Sequence, residues 1–163
     1  MTTRIGVISD THGLLRPEAL QALAGVDQIL HAGDVGDSAV LEALSRLAPT
    51  HAVRGNTDSH ALGLPETRVV EVGGCSIYLI HDLGRLDLDP EVAGFAAVVF
   101  GHSHEPHLRR ESNVDGGAGA AKSVLFFNPG SAGPRRFSLP VTVGRLKLEE
   151  GGELQGEILE LDV

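Results

Sequence analysis

The sequence predicts an α/β fold of two packed sheets with helices outside them, in one domain spanning residues 1–163. Three observations predict it. Up to about residue 54, short apolar runs alternate with helix-like segments, a β-α-β-α-β order that favours parallel neighbours and right-handed crossovers. Beyond that point the rhythm becomes a meander of short apolar runs divided by turns. At 163 residues the chain is long enough to bury one core and too short for two comfortable ones.

Taken in order, Arg4–Ser9 is an apolar run that reads as a buried strand ending in Asp-Thr-His-Gly. Pro17–Ala24 is expected to be helical, with Pro17 suited to the first turn and Gly25 to the stop. Asp27–His31 is a second short strand that ends in Ala-Gly-Asp. Asp37 or Ser38 is placed to cap a helix through about Leu47, with Val40, Leu41, Leu44 and Leu47 at core-facing spacing. Thr50–Arg54 is a third strand ending in Gly-Asn. Thr67–Val72 and Cys75–Ile80 flank Gly73-Gly74 and read as a hairpin. Ala96–Phe100 stops at Gly-His-Ser-His, and Leu125–Asn128 runs into Asn-Pro-Gly-Ser. Asn113–Ala121, rich in glycine and alanine, is expected to be a flexible loop, and Phe137 to Val163 a terminal hairpin turning at Glu150-Gly151-Gly152.

The polar residues are placed with regularity. Asp10 and His12, Asp34, Asn56, His81, and His102 and His104 all follow closely on the C-terminal ends of apolar strands. In α/β sheets ligand sites gather at that edge, so these loops are expected to converge. Each piece has a plainer alternative. Asp-x-His is ordinary loop chemistry, Gly33-Asp34 an ordinary turn, Asn56 a left-handed turn residue, and His81 a satisfied structural histidine. Gly101-His102-Ser103-His104 is more specific. In an extended segment residues two apart face the same way, roughly 6.6 Å apart. That spacing suits two imidazoles approaching two metals roughly 3.5–4 Å apart.

Together these blocks resemble the calcineurin-like metallophosphoesterases. Asp10-Thr11-His12, Gly33-Asp34, Gly55-Asn56, His81 and Gly101-His102-Ser103-His104 match the successive motifs of that superfamily. Ser9-Asp10-Thr11-His12-Gly13, Gly55-Asn56-Thr57-Asp58 and Asn128-Pro129-Gly130-Ser131 are similar to its small single-domain bacterial and archaeal phosphodiesterases. The resemblance implies a four-layer α/β/β/α sandwich of two mixed sheets. It implies that Asp10, His12 and His104 hold one metal and Asn56, His81 and His102 a second, with Asp34 bridging through its two oxygens. It implies cleavage of a small phosphate ester by a metal-bridging hydroxide attacking phosphorus in line.

The residue types agree with that chemistry. A mixed nitrogen and oxygen set suits two borderline divalent ions, manganese first, then nickel, cobalt, iron(II) or zinc. Two carboxylates against two divalent ions leave a centre of charge +2, matched to an anionic ester once a hydroxide is added. The sequence departs from larger relatives at Thr57, where a histidine acid would stand, so esters with good leaving groups are expected to react best. Asp58 and His60 are the nearby candidates for a catalytic role; a turn or cap and an exposed histidine are their alternatives. Asn56 and Arg135 are the substrate-binding candidates, with a solvated arginine the alternative for Arg135. His31 reads as a structural histidine near Asp34, and His51 and His107 as surface residues. Ser9 and Ser131 have no partnered base in the sequence and are expected to hydrogen-bond rather than attack.

Composition narrows the partners. A formal net charge of −9 without a lysine- or arginine-rich stretch argues against duplex nucleic acid. No apolar run approaches a membrane span, and Met-Thr-Thr-Arg-Ile enters a strand without a signal-peptide pattern, so a cytoplasmic protein is expected. The lone Cys75 excludes an intramolecular disulfide. A homo-oligomer is a reasonable expectation. The competing reading is a non-catalytic protein-interaction scaffold on the same fold, as in the eukaryotic retromer subunit; the complete donor set favours the enzyme.

Overall fold

Among the described residues, ten strands and two α-helices form around two apolar faces. In a computed structural model that describes residues 1–112 and 123–163, the strands are β1 (Thr2–Ile8), β2 (Gln28–His31), β3 (Thr50–Ala52), β4 (Thr67–Val72), β5 (Cys75–Ile80), β6 (Ala97–Val99), β7 (His107–Glu111), β8 (Val124–Asn128), β9 (Thr142–Glu149) and β10 (Leu154–Glu160). The helices are α1 (Pro17–Ala22) and α2 (Ser38–Leu47). Asn113–Ala121, expected as a flexible loop, lies outside the described residues.

β1 is buried on both sides, which places it at the centre of a sheet. Ile5 and Val7 enter the core between the sheets, and Ile8 the core beneath the helices. The first sheet has the order β10-β9-β1-β2-β3, parallel across β1, β2 and β3 and antiparallel across β1, β9 and β10. The second has the order β4-β5-β6-β8-β7, with β5, β6 and β8 parallel between antiparallel edges. Both sheets are therefore mixed, and the expected sandwich is the observed one.

The inner faces share one core, in which Ile5, Val7 and Leu30 of the first sheet meet Ile77, Leu79 and Phe127 of the second. The Phe127 ring lies on a glycine: a Cβ at Gly144 would stand 2.3 Å from Cε1, so β9 carries no side chain there. The helices cover the outer face of the first sheet through Ala19, Leu23, Val40 and Leu44. The Asp37 carboxylate accepts the Ala39 N–H at 3.0 Å and caps α2, as its sequence position predicts. Over the outer face of the second sheet the fourth layer is thin. Leu83, Leu86, Leu88 and Phe95, from a 3-10 turn and the loop after it, pack there against Tyr78 and Val98.

Two expectations need correction. α1 stops at Ala22 rather than Ala24, and the chain leaves it through turns to Gly25 at φ 83°. β7 is absent from the sequence reading because His-Leu-Arg-Arg-Glu has no apolar alternation and all five residues are exposed. It forms through backbone pairing as an edge strand, from His107 against Asn128 to Glu111 against Val124. The hairpin of β4 and β5, with Val72 opposite Cys75 across Gly73-Gly74, is as expected, and so is the terminal hairpin of β9 and β10. Among the described residues no helix is long and apolar enough to cross a membrane.

Phe127→Ala removes a fully buried ring from the core shared by both sheets. It is expected to cost about 3–5 kcal/mol, measured as a shift in the urea unfolding midpoint at unchanged slope.

Candidate metal centre

The parallel strands point their C-terminal ends to one edge of the sandwich, and the seven residues picked out by sequence meet there. Within the first sheet, the Asp10 N–H donates to the Gly33 carbonyl at 3.0 Å and the His12 N–H to the Asp34 carbonyl at 2.9 Å. Within the second, the Gly101 N–H donates to the His81 carbonyl at 3.0 Å. Other bonds cross between the sheets. The His102 N–H donates to Asp10 Oδ2 at 3.2 Å, and His81 Nδ1 lies 2.7 Å from the Ala32 carbonyl.

The side chains form two half-sites. In one, His104 Nε2 is 3.4 Å from Asp10 Oδ1 and 3.3 Å from His12 Nε2. In the other, Asn56 Oδ1 is 3.0 Å from His81 Nε2 and 3.1 Å from His102 Nδ1. Asp34 Oδ2 stands between them, 3.7 Å from His12 Nε2 and 3.3 Å from His81 Nε2. Asp34 Oδ1 is turned to the framework and accepts the Thr57 N–H at 2.9 Å, so Oδ2 is the oxygen that faces both half-sites.

Asp10 is built the same way. Its Oδ2 accepts the Ser9 hydroxyl at 2.7 Å and the His102 N–H, while Oδ1 is buried without a hydrogen-bond partner. A buried carboxylate oxygen left unpaired is costly unless a cation meets it. His81 makes the same demand. Only a protonated Nδ1 bonds the Ala32 carbonyl, so a neutral ring turns the lone pair of Nε2 towards the oxygens of Asn56 and Asp34. Three acceptors then face one another, and a proton or metal ion must lie among them. Burial opposes a charge on His81, but Asp34, Asp10 and the Ala32 carbonyl raise its pKa above the ordinary value. Burial likewise opposes ionisation of Asp34, yet His81 and the Thr57 N–H hold its carboxyl far below the usual range. Asp10 is also lowered against its burial, by His104, Ser9 and His81. The donors fit divalent metal on both counts, ligand type and unpaired acceptors.

The backbone is bent to aim them. Among the described residues, six non-glycine residues have positive φ, and five are Asp10, His12, Asp34, His102 and His104. Left-handed backbone at such residues is disfavoured and clusters at functional sites. It corrects the extended geometry expected for Gly-His-Ser-His: with φ 73° and 64°, His102 and His104 reach opposite half-sites through a bend. Asn56 is absent from that set, which removes its left-handed-turn alternative.

Neighbouring groups hold these bends. Asp58 Oδ2 accepts the N–H groups of Val35 at 3.1 Å and Gly55 at 2.9 Å, and Oδ1 that of Gly36 at 2.9 Å, tying the Asp34 and Asn56 loops together. Gly55 permits the close approach, since a Cβ there would stand 2.1 Å from Asp34 Oδ1. Asn128 Nδ2 donates to the Gly101 carbonyl and to Ser103 Oγ, both at 3.1 Å, and Ser131 Oγ donates to the Asp10 carbonyl at 3.1 Å. Beneath the site, the Gly33 N–H donates to His31 Nδ1 at 3.1 Å. His31 Nε2–H then donates to Thr11 Oγ1 at 3.0 Å, and the Thr11 hydroxyl to the Val35 carbonyl at 2.8 Å. The sequence reading missed Thr11; its position between Asp10 and His12 is the only signal.

Other candidates sit elsewhere or act otherwise. Both oxygens of Asp58 are spent on backbone, which makes it a positioning residue. His60 is exposed, with Nδ1 3.0 Å from the Arg54 guanidinium. The Arg135 guanidinium donates to the Leu139 carbonyl at 3.3 Å and the Val163 carbonyl at 3.1 Å, which binds it to the chain's own backbone. Thr57 is exposed beside the cluster, and His107 is exposed while His51 is partly buried.

Two measurements follow. Asp58→Ala leaves three N–H groups without their acceptor and is expected to cost about 2–4 kcal/mol. It should also weaken metal binding by roughly 10–100-fold in a chelator-competition titration. Burial lowers the His31 pKa to about 4, while the unfolded chain titrates near 6.5. The unfolded state therefore binds the proton first, and stability falls as pH drops from 6.5 towards 4. The loss reaches roughly 3 kcal/mol from this group, and His31→Gln should flatten that part of the pH profile in urea melts.

Comparison with known proteins agrees with this geometry. Residues 3–151 match the family model for the calcineurin-like phosphoesterase superfamily domain. A protein of Methanothermobacter thermautotrophicus named probable metallophosphoesterase is 34% identical over 169 residues, covering 95% of this chain and 91% of its own. Two solved structures share the fold at lower identity. An archaeal phosphodiesterase has a TM-score of 0.72 at 24% identity, over 96% of this chain and 100% of its own. Vps29 of Entamoeba histolytica, solved in complex with zinc, has a TM-score of 0.70 at 22% identity, over 97% and 99%. With a family match over most of its length and a donor cluster suited to divalent metal, the chain belongs to the calcineurin-like phosphoesterase superfamily.

Proposed function

We propose that this chain, read as one domain over residues 1–163, is a phosphodiesterase that holds two divalent ions and hydrolyses a small phosphate ester. The observation that carries the reading is the paired carboxylates: Asp10 and Asp34 each anchor one oxygen on the framework and leave the other among the histidines. Asp10, His12 and His104 would hold one ion and Asn56, His81 and His102 the other, with Asp34 Oδ2 between them. Manganese is the first choice for this nitrogen and oxygen set, with nickel, cobalt, iron(II) or zinc as alternatives. When bound, such ions supply acidified water and positive charge for a phosphoryl group.

The protein's own contribution is orientation. His81 fixes its ring through Nδ1 and the Ala32 carbonyl, so that Nε2 is presented to the site. Asn56 and His102 are the exposed members of the cluster and His12 is partly so, while Asp10, Asp34, His81 and His104 are buried, so an ester enters past Asn56 and His102. Thr57 offers a hydroxyl where a proton donor to the departing oxygen would act, and a hydroxyl is too weak an acid for that work near neutrality. Aryl esters and other good leaving groups are therefore the preferred substrates. Asn56 is placed to meet substrate as well as metal. A cytoplasmic setting and a homo-oligomer complete the proposal.

The scaffold reading is supported by the Vps29 likeness, which is one of fold alone. The full set of seven donors favours the enzyme. The test is metal-stripped protein assayed on bis(p-nitrophenyl) phosphate with each divalent ion in turn. Metal-dependent turnover is expected, abolished in Asp34→Ala with its circular dichroism unchanged. No turnover with any ion would leave the scaffold.

A further inference from the structure

Phe137 is the one non-glycine residue outside the ligand set that the fold holds at positive φ, 52°, among the described residues. Its ring is 93% exposed, so no packing within the chain offsets that conformation. A bulky side chain held strained and unpacked is a feature that requires a use outside the fold.

The root of its loop lies against the backbone of the metal centre. Residues 132–140 leave and return at one place, where Ser131 bridges Val141 and the Thr142 N–H donates to the Ser131 carbonyl at 3.0 Å. At that place Ser131 Oγ donates to the Asp10 carbonyl, and the Ala132 N–H to the Ser9 carbonyl at 3.0 Å. The Gly133 backbone lies against the ligand loop: a Cβ there would stand 2.3 Å from the Thr11 carbonyl oxygen and 2.6 Å from that of Asp10. The Arg16 guanidinium donates to the Gly133 carbonyl at 3.2 Å, clamping the junction. Phe137 is four positions further on, so its backbone lies within about 14 Å of Gly133 even at full extension. Arg135, bonded to Leu139 and Val163, braces the tip, and the Leu139 N–H donates to the Arg136 carbonyl at 3.1 Å. Arg136 is exposed and has no ion-pair partner among the described residues. Leu14, 40% exposed, adds apolar surface on the Asp10–Arg16 segment.

We infer that Phe137 is a specificity-determining platform, stacking on an aromatic group carried by the ester whose phosphorus sits at the metal centre, with Arg136 beside its anionic chain. The inference rests on the phosphoesterase reading of the site. The substrate class is a phosphodiester whose retained group, opposite the leaving group, bears a nucleobase or an aryl ring. A π-face on a braced loop suits either, because stacking requires a flat ring and no particular hydrogen-bonding edge. Insertion of the tip into an anionic membrane is the less favoured use: the loop is rooted on the metal centre, and a net charge of −9 opposes approach to such a surface.

Two substrates with one leaving group separate the effects: thymidine 5′-(p-nitrophenyl phosphate) and methyl p-nitrophenyl phosphate. Phe137→Ala is expected to lower kcat/KM on the thymidine ester by on the order of tenfold, chiefly through KM, and to leave the methyl ester within about twofold. Phe137→Trp should restore the preference. Equal loss on both esters, or no loss on either, overturns the inference. Saturation-transfer NMR with thymidine 5′-methylphosphate reads the contact without turnover. Base protons should receive saturation from the wild type and lose it in Phe137→Ala. Absence of transfer from the wild type overturns the platform even in an active enzyme, and Phe137-dependent sedimentation with phosphatidylserine vesicles alongside that absence assigns the tip to membrane. Transfer without hydrolysis under any ion sustains the platform and overturns the phosphoesterase reading instead. Phe137→Gly, which accepts φ 52° freely, should melt no lower than the wild type, showing that the ring serves no folding role.

Discussion

Two buried carboxylates, each with one oxygen anchored and one withheld, set the terms for the rest of this structure. Asp10 and Asp34 are almost wholly removed from water and lie close enough that His81 Nε2 is within 3.9 Å of an oxygen of each. Like charges so placed repel one another, and burial denies them solvent. The anchors resolve half of the difficulty: the Ser9 hydroxyl and the His102 and Thr57 N–H groups satisfy one oxygen of each pair. The remaining oxygens share a space with imidazole nitrogens that are themselves lone-pair donors. Such a cluster is an acceptor-rich cage, and its chemistry is to concentrate positive charge. That is how a strongly acidic protein can receive an anionic ester.

The anchors also explain the cost accepted by the backbone. Five of the candidate ligands sit at positive φ, each a conformation that an isolated chain would populate rarely. They persist because the surrounding bonds leave no alternative. Asp58 binds three amides from two loops, Asn128 holds the bend at Gly101 and Ser103, and His31 with Thr11 supports the turn at Gly33. None of these residues needs to touch substrate. Their work is to make the ligand geometry rigid before metal arrives, which spares the metal the entropy of ordering the loops.

Much of this was legible in the sequence, and the limits have physical causes. Strands buried on both faces appear as apolar runs, and the residues just past their ends fall on one edge, so the positions of the seven donors could be read directly. The β4–β5 register followed from Gly73-Gly74 and the apolar pattern. β7 could not be read, because an exposed edge strand carries no periodic signal. The bend at His102 and His104 was hidden for a different reason: it is imposed by Asn128 and by the Asp10 carboxylate, partners distant in sequence. The same holds for Asp34, whose oxygens look equivalent until the Thr57 N–H claims one of them. Asp58 looked like a local turn residue, and its second role, across to Val35 and Gly36, exists only in three dimensions.

The anchors have a bearing on time as well as on shape. Asp10 is made well before its partners, since its contacts with His102 and Ser131 span 92 and 121 residues. Contacts of such separation carry a large loop-closure cost until the strands between them have paired. An N-terminal fragment of the chain can build the parallel half of the first sheet but has no second sheet to hold His81 or His104. The cage therefore cannot close until His102 and His104 have been made, and a growing chain has no assembled centre to trap a wrong metal before the second sheet is in place.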